Sequence, residues 1–404
     1  MDNNLKICDL TQSYTPTSGG IRTYIDEKSK HISQWSNFEH VLVIPGKEDT
    51  MTKRGATTRY TIKAALVPHA EPYRFTFRMD RVLYILQKEK PDIIELGSGY
   101  VMPFAAFIYK LFHPSCILSG FYHTDYPGAY VYPYLDKRFP GWVAKIGLML
   151  AQRYARFIYN RCNITFAPSA TIKQKLLNMK VKNVRKVSLG VDIDLFNPRK
   201  RDDRWREVLG LSGTDKLLIY AGRFDSEKRI KVLLDAFAAI SQQFNGKFAL
   251  IGEGPLKSLI QSYSQSNPRI VLLPYETSKE RLAVILASAD IYVTAGPHET
   301  FGLSILEAQS CGLPVVGVAA GALLERVDSS VGLLVPVDSV VDFSRAILQV
   351  SQHGCVSKGR AARERIESEY SWKKSFEKLM QYYEKFSYKA KKRQWAFEPT
   401  LARF

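Results

Sequence analysis

Short runs of apolar residues alternate with helical patterns along the whole chain. Most of these runs are continuous instead of alternating with polar residues, which is typical of strands covered on both faces of a parallel sheet. Strands that alternate with helices form βα units, so the pattern predicts an α/β protein. The predicted strands are Lys6–Leu10, His40–Ile44, Asp92–Leu96, Cys116–Tyr122, Ile164–Pro168, Leu217–Ala221, Phe248–Ile251, Ile270–Leu273, Ile291–Thr294, Pro314–Val318 and Gly332–Val335.

The chain has 404 residues, which is too long for one ordinary hydrophobic core. The segment Gly190–Pro198 is punctuated by glycine, aspartate, asparagine and proline and continues neither a helix nor a strand. The pattern after Tyr370 predicts a long helix to Lys392, followed by a basic and aromatic tail. We therefore expect an N-terminal domain at residues 1–195, a second domain at 196–370 and a C-terminal segment at 371–404.

A pair of glycines follows the first predicted strand, in the segment Ser18-Gly19-Gly20-Ile21-Arg22. Two glycines let the backbone approach a ligand closely, and the start of a helix offers amides at the positive end of its dipole. This arrangement suits a phosphate group. A plain tight turn is the alternative that the two glycines alone leave open.

Two cations follow the predicted strand Leu217–Ala221, in the sequence GRFDSEK. Arg223 offers a planar fork of donors and Lys228 a point charge, and from one loop both can converge on a diphosphate. The alternative is a pair of solvated cations with Asp225 and Glu227 as their partners.

Two glutamates flank the start of a helix after the predicted strand Ile291–Thr294. Glu299 falls in the loop and Glu307 inside the helix. Carboxylates accept hydrogen bonds from hydroxyls, and helix-start amides suit phosphate oxygens, so the segment fits a sugar and a ribose on either side of a diphosphate. An amphipathic helix with Glu307 exposed is the alternative. The amides between the glutamates belong to Gly302, Leu303 and Ser304.

Charge is the unusual bulk property of this chain. Lys and Arg number 57 against 39 Asp and Glu, which gives a formal net charge of +18. The excess predicts an anionic partner, which composition alone leaves open among a phosphorylated substrate, an anionic lipid surface and a nucleic acid. No nucleic-acid recognition motif accompanies the charge, so we expect no nucleic acid. The five scattered cysteines favour a reducing compartment.

The motifs together resemble those of the retaining glycosyltransferases of family 4, which have the GT-B fold. The resemblance rests on an E-x7-E pattern in HETFGLSILEAQSCGLPVV, preceded by GRFDSEK and GEGP. It covers nearly the whole chain and also includes the glycine pair, Phe121–Asp125, Ala167–Ser169, Gly190–Asp192 and Ser371-Trp372. It implies two Rossmann-like domains that face each other across a cleft, acceptor side first, with the C-terminal helix returning to the first domain.

The resemblance also implies a role for each matching residue. Glu299 would hold hydroxyls of the donor sugar, and Glu307 the ribose of the nucleotide. Arg223 and Lys228 would neutralise the diphosphate in place of a metal ion, so we expect no metal and no cofactor. His123 would face the transferred sugar, while Asp125 would lie on the acceptor side. The full donor-binding set would be Gly19, Gly20, Arg223, Lys228, Glu299, Gly302, Leu303, Ser304 and Glu307.

The implied reaction is transfer of a hexose of the mannose, glucose or galactose type, with retention, from a UDP- or GDP-linked donor to a lipid or glycan acceptor. The sequence departs from the family at Arg229 and Pro274, where glycine is common. The second departure leaves the choice between uracil and guanine open. The alternatives are a sugar-nucleotide epimerase or hydrolase of the same fold and a catalytically silent membrane-associated binding protein.

The predicted helix Trp142–Arg161 indicates a membrane contact. Trp142, Ile146, Met149, Leu150 and Phe157 share one face, flanked by Lys145 and Arg156 and interrupted by Arg153. With the basic tail Lys389–Phe397, this face predicts docking on anionic lipid. A helix packed in the core is the alternative. The sequence shows no signal peptide and no spanning segment, so we expect a cytoplasmic protein, peripheral on the inner membrane face.

Overall fold

The computed structural model describes residues 4–15, 19–35, 37–67 and 73–401, with side chains up to residue 390. Ser18 and the side chains of most of the basic tail lie outside the described residues. The chain forms two compact units. The first contains the residues up to Ser188 and those from Ser375 onwards, and the second is Leu189–Lys374. The second unit is thus inserted between two parts of the first.

Unit 1 is built on an eight-stranded sheet in the order β10-β9-β8-β7-β1-β2-β4-β3. All neighbours pair in parallel except β3, which is antiparallel to β4. A separate hairpin joins β5 and β6. The strands are β1 Leu5–Leu10, β2 Phe38–Gly46, β3 Thr50–Arg54, β4 Thr57–Lys63, β5 Ala65–Leu66, β6 Arg74–Phe75, β7 Ile93–Leu96, β8 Ile117–Phe121, β9 Ile164–Ala167 and β10 Val184–Lys186.

The helices of unit 1 connect these strands. They are α1 Gly20–Ile32, α2 Met79–Glu89, α3 Met102–Phe112, α4 Tyr132–Asp136, α5 Gly141–Tyr159 and α6 Ala170–Asn178. A π-helical turn, Pro127–Val131, precedes α4. The long helix α15, Trp372–Leu401, starts in unit 2 and continues in unit 1, where Phe376, Leu379 and Tyr383 are buried.

Unit 2 is built on a six-stranded parallel sheet in the order β13-β12-β11-β14-β15-β16. Its strands are β11 Lys216–Ala221, β12 Gly246–Ile251, β13 Ile270–Leu273, β14 Ile291–Thr294, β15 Val315–Val318 and β16 Gly332–Val335. Its helices are α7 Asp203–Val208, α8 Ile230–Ile240, α9 Lys257–Ser266, α10 Lys279–Ala287, α11 Leu303–Ser310, α12 Leu323–Arg326, α13 Val340–His353 and α14 Cys355–Glu369, with short 3-10 turns at Pro198–Lys200 and Ser226–Lys228.

Each sheet has its own buried core. In unit 1 the sheet core is formed largely by apolar side chains of β1, β2, β7 and β8 with helices α2 and α3, and in unit 2 by those of β11 to β16 with α8 and α13. Strands of this kind are buried on both faces, which explains their continuous apolar runs. The predicted α/β class with parallel sheets is therefore confirmed, and each unit is Rossmann-like.

Candidate active site

The strand order of unit 2 selects one edge of the sheet for a ligand. If its six strands are numbered from 1 to 6 in chain order, their spatial order is 3-2-1-4-5-6. The connections that follow β11 and β14 therefore run in opposite directions along the sheet. Ligands of such sheets bind outside the carboxyl ends of the strands at this switch point. The segments that follow there are Gly222–Lys228 after β11 and the loop Pro297–Gly302 after β14, which we call the donor loop.

Lys228 and Glu299 meet at this switch point. The Nζ atom of Lys228 lies 2.8 Å from Oε2 of Glu299, and about a fifth of each side chain is exposed. Burial by itself raises the pKa of Glu299, but the charge of Lys228 and the Gly302 amide hold it below its ordinary value. The pair is therefore ionised at neutral pH, and it joins the two predicted ligand-binding segments.

Arg223 contacts acidic neighbours in its own loop. Its Nη1 lies 2.8 Å from Oδ2 of Asp225, and its Nη2 donates to Oε1 of Glu227 at 2.7 Å. These are the partners that the sequence offered as the alternative to a diphosphate. The Arg223 charge also lowers the pKa of Glu299. The two cations of this segment are thus held differently, Lys228 by Glu299 and Arg223 by its own loop.

Helix α11 begins directly beside Glu299. Gly302 caps it with φ of 83°, in the left-handed region that favours glycine, and its amide donates to the Glu299 carboxylate. Leu303 and Ser304 follow in the first turn, where amides have no carbonyl partner within the helix. The hydroxyl of Ser304 is hydrogen-bonded to Tyr292, a residue of β14 that the sequence did not single out.

Glu307 lies one turn further along α11 and is partly buried. Burial raises the pKa of Glu307 to about 7, although the charge of Lys279 acts in the opposite direction. The side chain is therefore not the solvated carboxylate of the alternative interpretation. Near neutral pH it exists in both protonation states.

His123 lies in unit 1, just after β8. Its ring stacks on Phe121 with centroids 4.3 Å apart and lies 4.7 Å from the ring of Tyr24. Burial lowers the pKa of His123 to about 3, although the charge of Asp9 opposes this effect. The imidazole is therefore neutral in the physiological range.

A buried group of ionisable side chains in unit 1 was missed by the sequence analysis. Lys28 Nζ lies 2.7 Å from Asp9 and 3.2 Å from Glu95, and all three side chains are almost fully buried. Tyr24 and Tyr383 donate hydrogen bonds to the carboxylate of Glu95. Lysine is rarely buried, so its position in a helical pattern gave no signal of this role. Tyr383 connects the cluster to α15.

The remaining predicted residues of unit 1 are Gly19, Gly20 and Asp125. Gly19 is the exposed N-cap of α1 with φ of −73°, and Gly20 is the first residue of that helix. Asp125 is buried, forms an ion pair with Lys175 and accepts a hydrogen bond from the Tyr122 hydroxyl at 3.0 Å. Its carboxylate therefore has partners within the protein.

Carboxylates of the described residues do not assemble into a metal site. Across the described ranges, no three His, Cys, Asp or Glu side chains lie close enough to hold an ion. The chain has an Asp-x-Asp triplet at Asp192–Asp194. There Oδ1 of Asp192 accepts hydrogen bonds from the amides of Asp194 and Leu195 at 3.2 and 2.9 Å, which is a local turn.

Comparison with protein families finds matches in both units. Residues 215–353 match the family model described as Glycosyl transferases group 1, and residues 18–195 match the model described as Glycosyltransferase Family 4. Together the two models span most of both sheets.

Two curated proteins illustrate the relationship. A protein of Mycobacterium tuberculosis named GDP-mannose-dependent alpha-(1-6)-phosphatidylinositol dimannoside mannosyltransferase is 26% identical over 334 residues, which are 81% of this chain and 83% of that protein. The sulfoquinovosyl transferase SQD2 of Arabidopsis thaliana is 29% identical over 311 residues, which are 74% of this chain and 58% of that protein.

Solved structures share the fold. Sucrose-phosphate synthase from Thermosynechococcus elongatus superimposes with a TM-score of 0.76 at 19% identity, over 94% of this chain and 98% of that chain. The Anabaena protein HepE in complex with UDP and glucose gives a TM-score of 0.71 at 17% identity, over 93% and 98% of the two chains. The predicted GT-B fold is confirmed, and the chain belongs to the family 4 (group 1) glycosyltransferases.

Proposed function

We propose that this glycosyltransferase moves a hexose from a nucleotide diphosphate sugar to a lipid or glycan acceptor, with retention of anomeric configuration and without a divalent metal. GDP-mannose is the first donor to test, because the mycobacterial relative and a relative from Corynebacterium glutamicum, 25% identical, are both named GDP-mannose-dependent. UDP-sugars are the second class, supported by the UDP complex of the structural neighbour HepE.

The Lys228–Glu299 pair is the observation that carries this proposal. It places a cation and a carboxylate 2.8 Å apart at the switch point, beside the N-terminus of α11. Breaking the bond between an anomeric carbon and a diphosphate leaves negative charge on the leaving group. Fixed cations and helix-start amides stabilise that charge, while the carboxylate accepts hydrogen bonds from sugar hydroxyls.

The same geometry supports the proposal that the enzyme needs no divalent metal. Arg223 and Lys228 supply two positive charges in one loop, which is the charge that a divalent ion would otherwise bring to the diphosphate. Neutral His123 is suited to a hydrogen bond with the transferred sugar and not to charge neutralisation. Retention is supported by the family resemblance alone.

An anionic membrane surface is the proposed location of the acceptor. On α5, the side chains of Trp142, Ile146, Met149, Leu150 and Phe157 are between 39% and 66% exposed, so this face is not packed in the core. Lys145 and Arg156 are exposed on the same helix. No helix among the described residues is long and apolar enough to span a bilayer. Exposed apolar side chains beside cations favour peripheral docking on anionic lipid.

A donor screen tests the proposed function. Binding of a nucleotide raises the melting temperature of the folded enzyme, so GDP, UDP and ADP are compared by thermal shift in the presence of EDTA. The nucleotide that binds selects the donor sugars, whose turnover is followed by NMR of the anomeric proton of the product. The proposal is contradicted if none of the nucleotides raises the melting temperature, or if the enzyme is active only after a divalent metal is restored. Release of free sugar as the sole product favours the hydrolase alternative.

A further inference from the structure

Arg326 is a fully buried cation in unit 2, at the end of α12. Its guanidinium lies 4.3 Å from the ring centroid of Phe301 and 4.6 Å from that of Tyr370. Its Nη1 atom lies 3.4 Å from Oε1 of Glu325. Burying a charge is costly unless it is paired and hydrogen-bonded, so the contacts of this side chain must compensate for lost hydration.

The first set of contacts reaches the donor loop. Arg326 Nε donates to the carbonyl oxygen of Phe301 at 3.3 Å, and the amide of Ala322 donates to the carbonyl oxygen of Glu299 at 2.8 Å. Phe301 lies between Glu299 and the Gly302 cap of α11. The turn that carries Arg326 therefore holds the loop backbone on both sides of residue 300.

The turn is also pressed closely against the loop. A Cβ added at Gly321, which has φ of 57°, would lie 2.7 Å from the carbonyl oxygen of Glu299. On the other side, the Gln309 side chain donates to the carbonyl oxygen of Arg326 at 3.0 Å, which connects α12 to α11. The loop and the helix that follows it are thus both fastened to α12.

The second set of contacts reaches the end of unit 2. Arg326 Nη1 donates to the hydroxyl of Tyr370 at 2.7 Å. The carbonyl oxygen of Tyr370 accepts from the amide of Val191 at 2.9 Å, and Val191 pairs with Ser371 in an isolated parallel bridge. Unit 2 begins at Leu189 and ends at Lys374, so these are the segments by which the chain enters and leaves it.

We propose that Arg326 is a positioning residue of the transfer reaction, which fixes the donor loop by linking it to the paired segments at Val191 and Tyr370. The inference rests on the proposed function, because it assigns sugar binding to Glu299. Because its side chain is fully buried, Arg326 would act on the donor only through the loop. It sets where the Glu299 carboxylate and the Gly302 amide stand, and displacement of about 1 Å in such groups can cost about 100-fold in rate.

Matched substitutions separate this role from a general structural one. Arg326→Met removes the charge and keeps an unbranched apolar chain. Arg206→Met is the control, since Arg206 is also buried in unit 2 but donates to Asp290, Ser288 and Asp215, away from the donor loop. We expect Arg326→Met to lower kcat at least tenfold while the Kd of the nucleotide diphosphate changes less than threefold. Arg206→Met lowers the melting temperature and leaves kcat per folded enzyme within twofold.

Tyr370→Phe provides a second test that removes one hydroxyl and retains the ring. A three- to tenfold fall in kcat is expected, and Arg326→Lys should recover part of the activity lost in Arg326→Met. Wild-type kcat in Arg326→Met, or in Tyr370→Phe if Arg326→Met does not fold, overturns the proposal. If Arg326→Met is fully active while Glu299→Ala is inactive, the proposed function stands and only the role of Arg326 is wrong. If the wild type is inactive with every nucleotide sugar, the proposed function itself is wrong.

Discussion

Lys228 and Glu299 lie 71 positions apart in the chain, and their charged groups are 2.8 Å apart at the switch point of the second sheet. Before a donor binds, each side chain compensates the charge of the other. In the proposed function, a diphosphate would take the cation as its partner while the sugar hydroxyls take the carboxylate, so the site would exchange one ion pair for two sets of contacts. The pair keeps both groups oriented until that exchange.

Loss of Lys228, Glu299 or the neighbouring cation Arg223 should impair catalysis. We expect Lys228→Ala, Arg223→Ala and Glu299→Ala each to reduce turnover by about 100-fold or more, the scale for one preorganised charge contact. Because Lys228 and Glu299 touch, the double variant should lose less than the product of the two single effects. Steady-state kinetics with the selected donor measure this. Lys231→Ala, at an exposed cation in the adjacent helix, is the control, and near-normal rates in all three site variants would refute the assignment.

The pKa of Glu307, raised by burial to about 7, predicts pH-dependent nucleotide binding. The ribose hydroxyls donate hydrogen bonds, so the ionised carboxylate is the better acceptor and affinity should increase as the pH rises from 6 to 8. In Glu307→Gln this increase should be smaller, because only the part that comes from ionisation of the terminal phosphate of the nucleotide remains. Isothermal titration with the nucleotide diphosphate across that range decides the question, and an identical pH profile in both proteins would exclude Glu307 from the ribose site.

The same pKa has a consequence for stability. A carboxyl group whose folded pKa lies above its unfolded value of about 4.3 stabilises the folded state only while protonated. Stability from this group is therefore complete at low pH and is lost as the pH rises through 7. We expect the difference in melting temperature between wild type and Glu307→Gln to shift in favour of the variant between pH 5 and 8. A constant difference would contradict the raised pKa.

Arg229 has φ of 53°, the left-handed region that favours glycine. The family resemblance places glycine commonly at this position, and a non-glycine residue in this region carries strain of the order of 1–2 kcal/mol. Arg229→Gly should leave the melting temperature equal to or above that of wild type, although the exposed contact with Asp338 is lost. Arg229→Val should lower it by several degrees.

The matched control for Arg229 is Lys231, which lies in helix α8. Lys231 is the second residue of α8, and at helical positions glycine is less favourable than valine, so the order of the two substitutions should reverse there. Thermal unfolding of the four variants tests both statements together. The same order at both positions would show that the loop at Arg229 does not have the left-handed conformation.

The exposed face of α5 predicts salt-sensitive membrane binding. Trp142→Ala combined with Leu150→Ala removes two exposed apolar side chains and should lower partitioning onto phosphatidylglycerol vesicles at least tenfold. Wild-type binding should weaken as the salt concentration increases, because basic side chains attract the anionic lipid. Vesicle sedimentation measures both effects. Val356→Ala, at an exposed apolar residue of unit 2, is the control, and no binding at low ionic strength would refute the docking face.

Much of unit 2 could be predicted because its strands are short continuous apolar runs, including those at the two edges of the sheet. Ile270–Leu273, Ile291–Thr294 and Gly332–Val335 begin and end where their apolar runs do. The meeting of Lys228 and Glu299 was expected only through the family resemblance. Their loops follow β11 and β14, and the sequence alone does not say that these two strands are neighbours.

Strands of unit 1 at the sheet edge were missed for the opposite reason. β3 is exposed along its whole length, and β4 is only partly buried, so neither has a continuous apolar run. A glycine at position 55 between two threonine-containing segments was the available signal of a turn, and in the structure its φ is 57°. Arg326 could not have been identified either, because a basic residue at the end of a short helix is usually solvated.

Because unit 2 is inserted between two parts of unit 1, the order of synthesis on the ribosome affects how unit 1 packs. Lys28, Asp9 and Glu95 are synthesised early, but the Tyr383 hydroxyl that donates to Glu95 emerges only after all of unit 2. Until then, a buried carboxylate of the nascent chain lacks one of its hydrogen-bond donors, which is costly in an apolar interior. The first-made half of the enzyme therefore cannot complete this hydrogen-bond network before helix α15 has been synthesised.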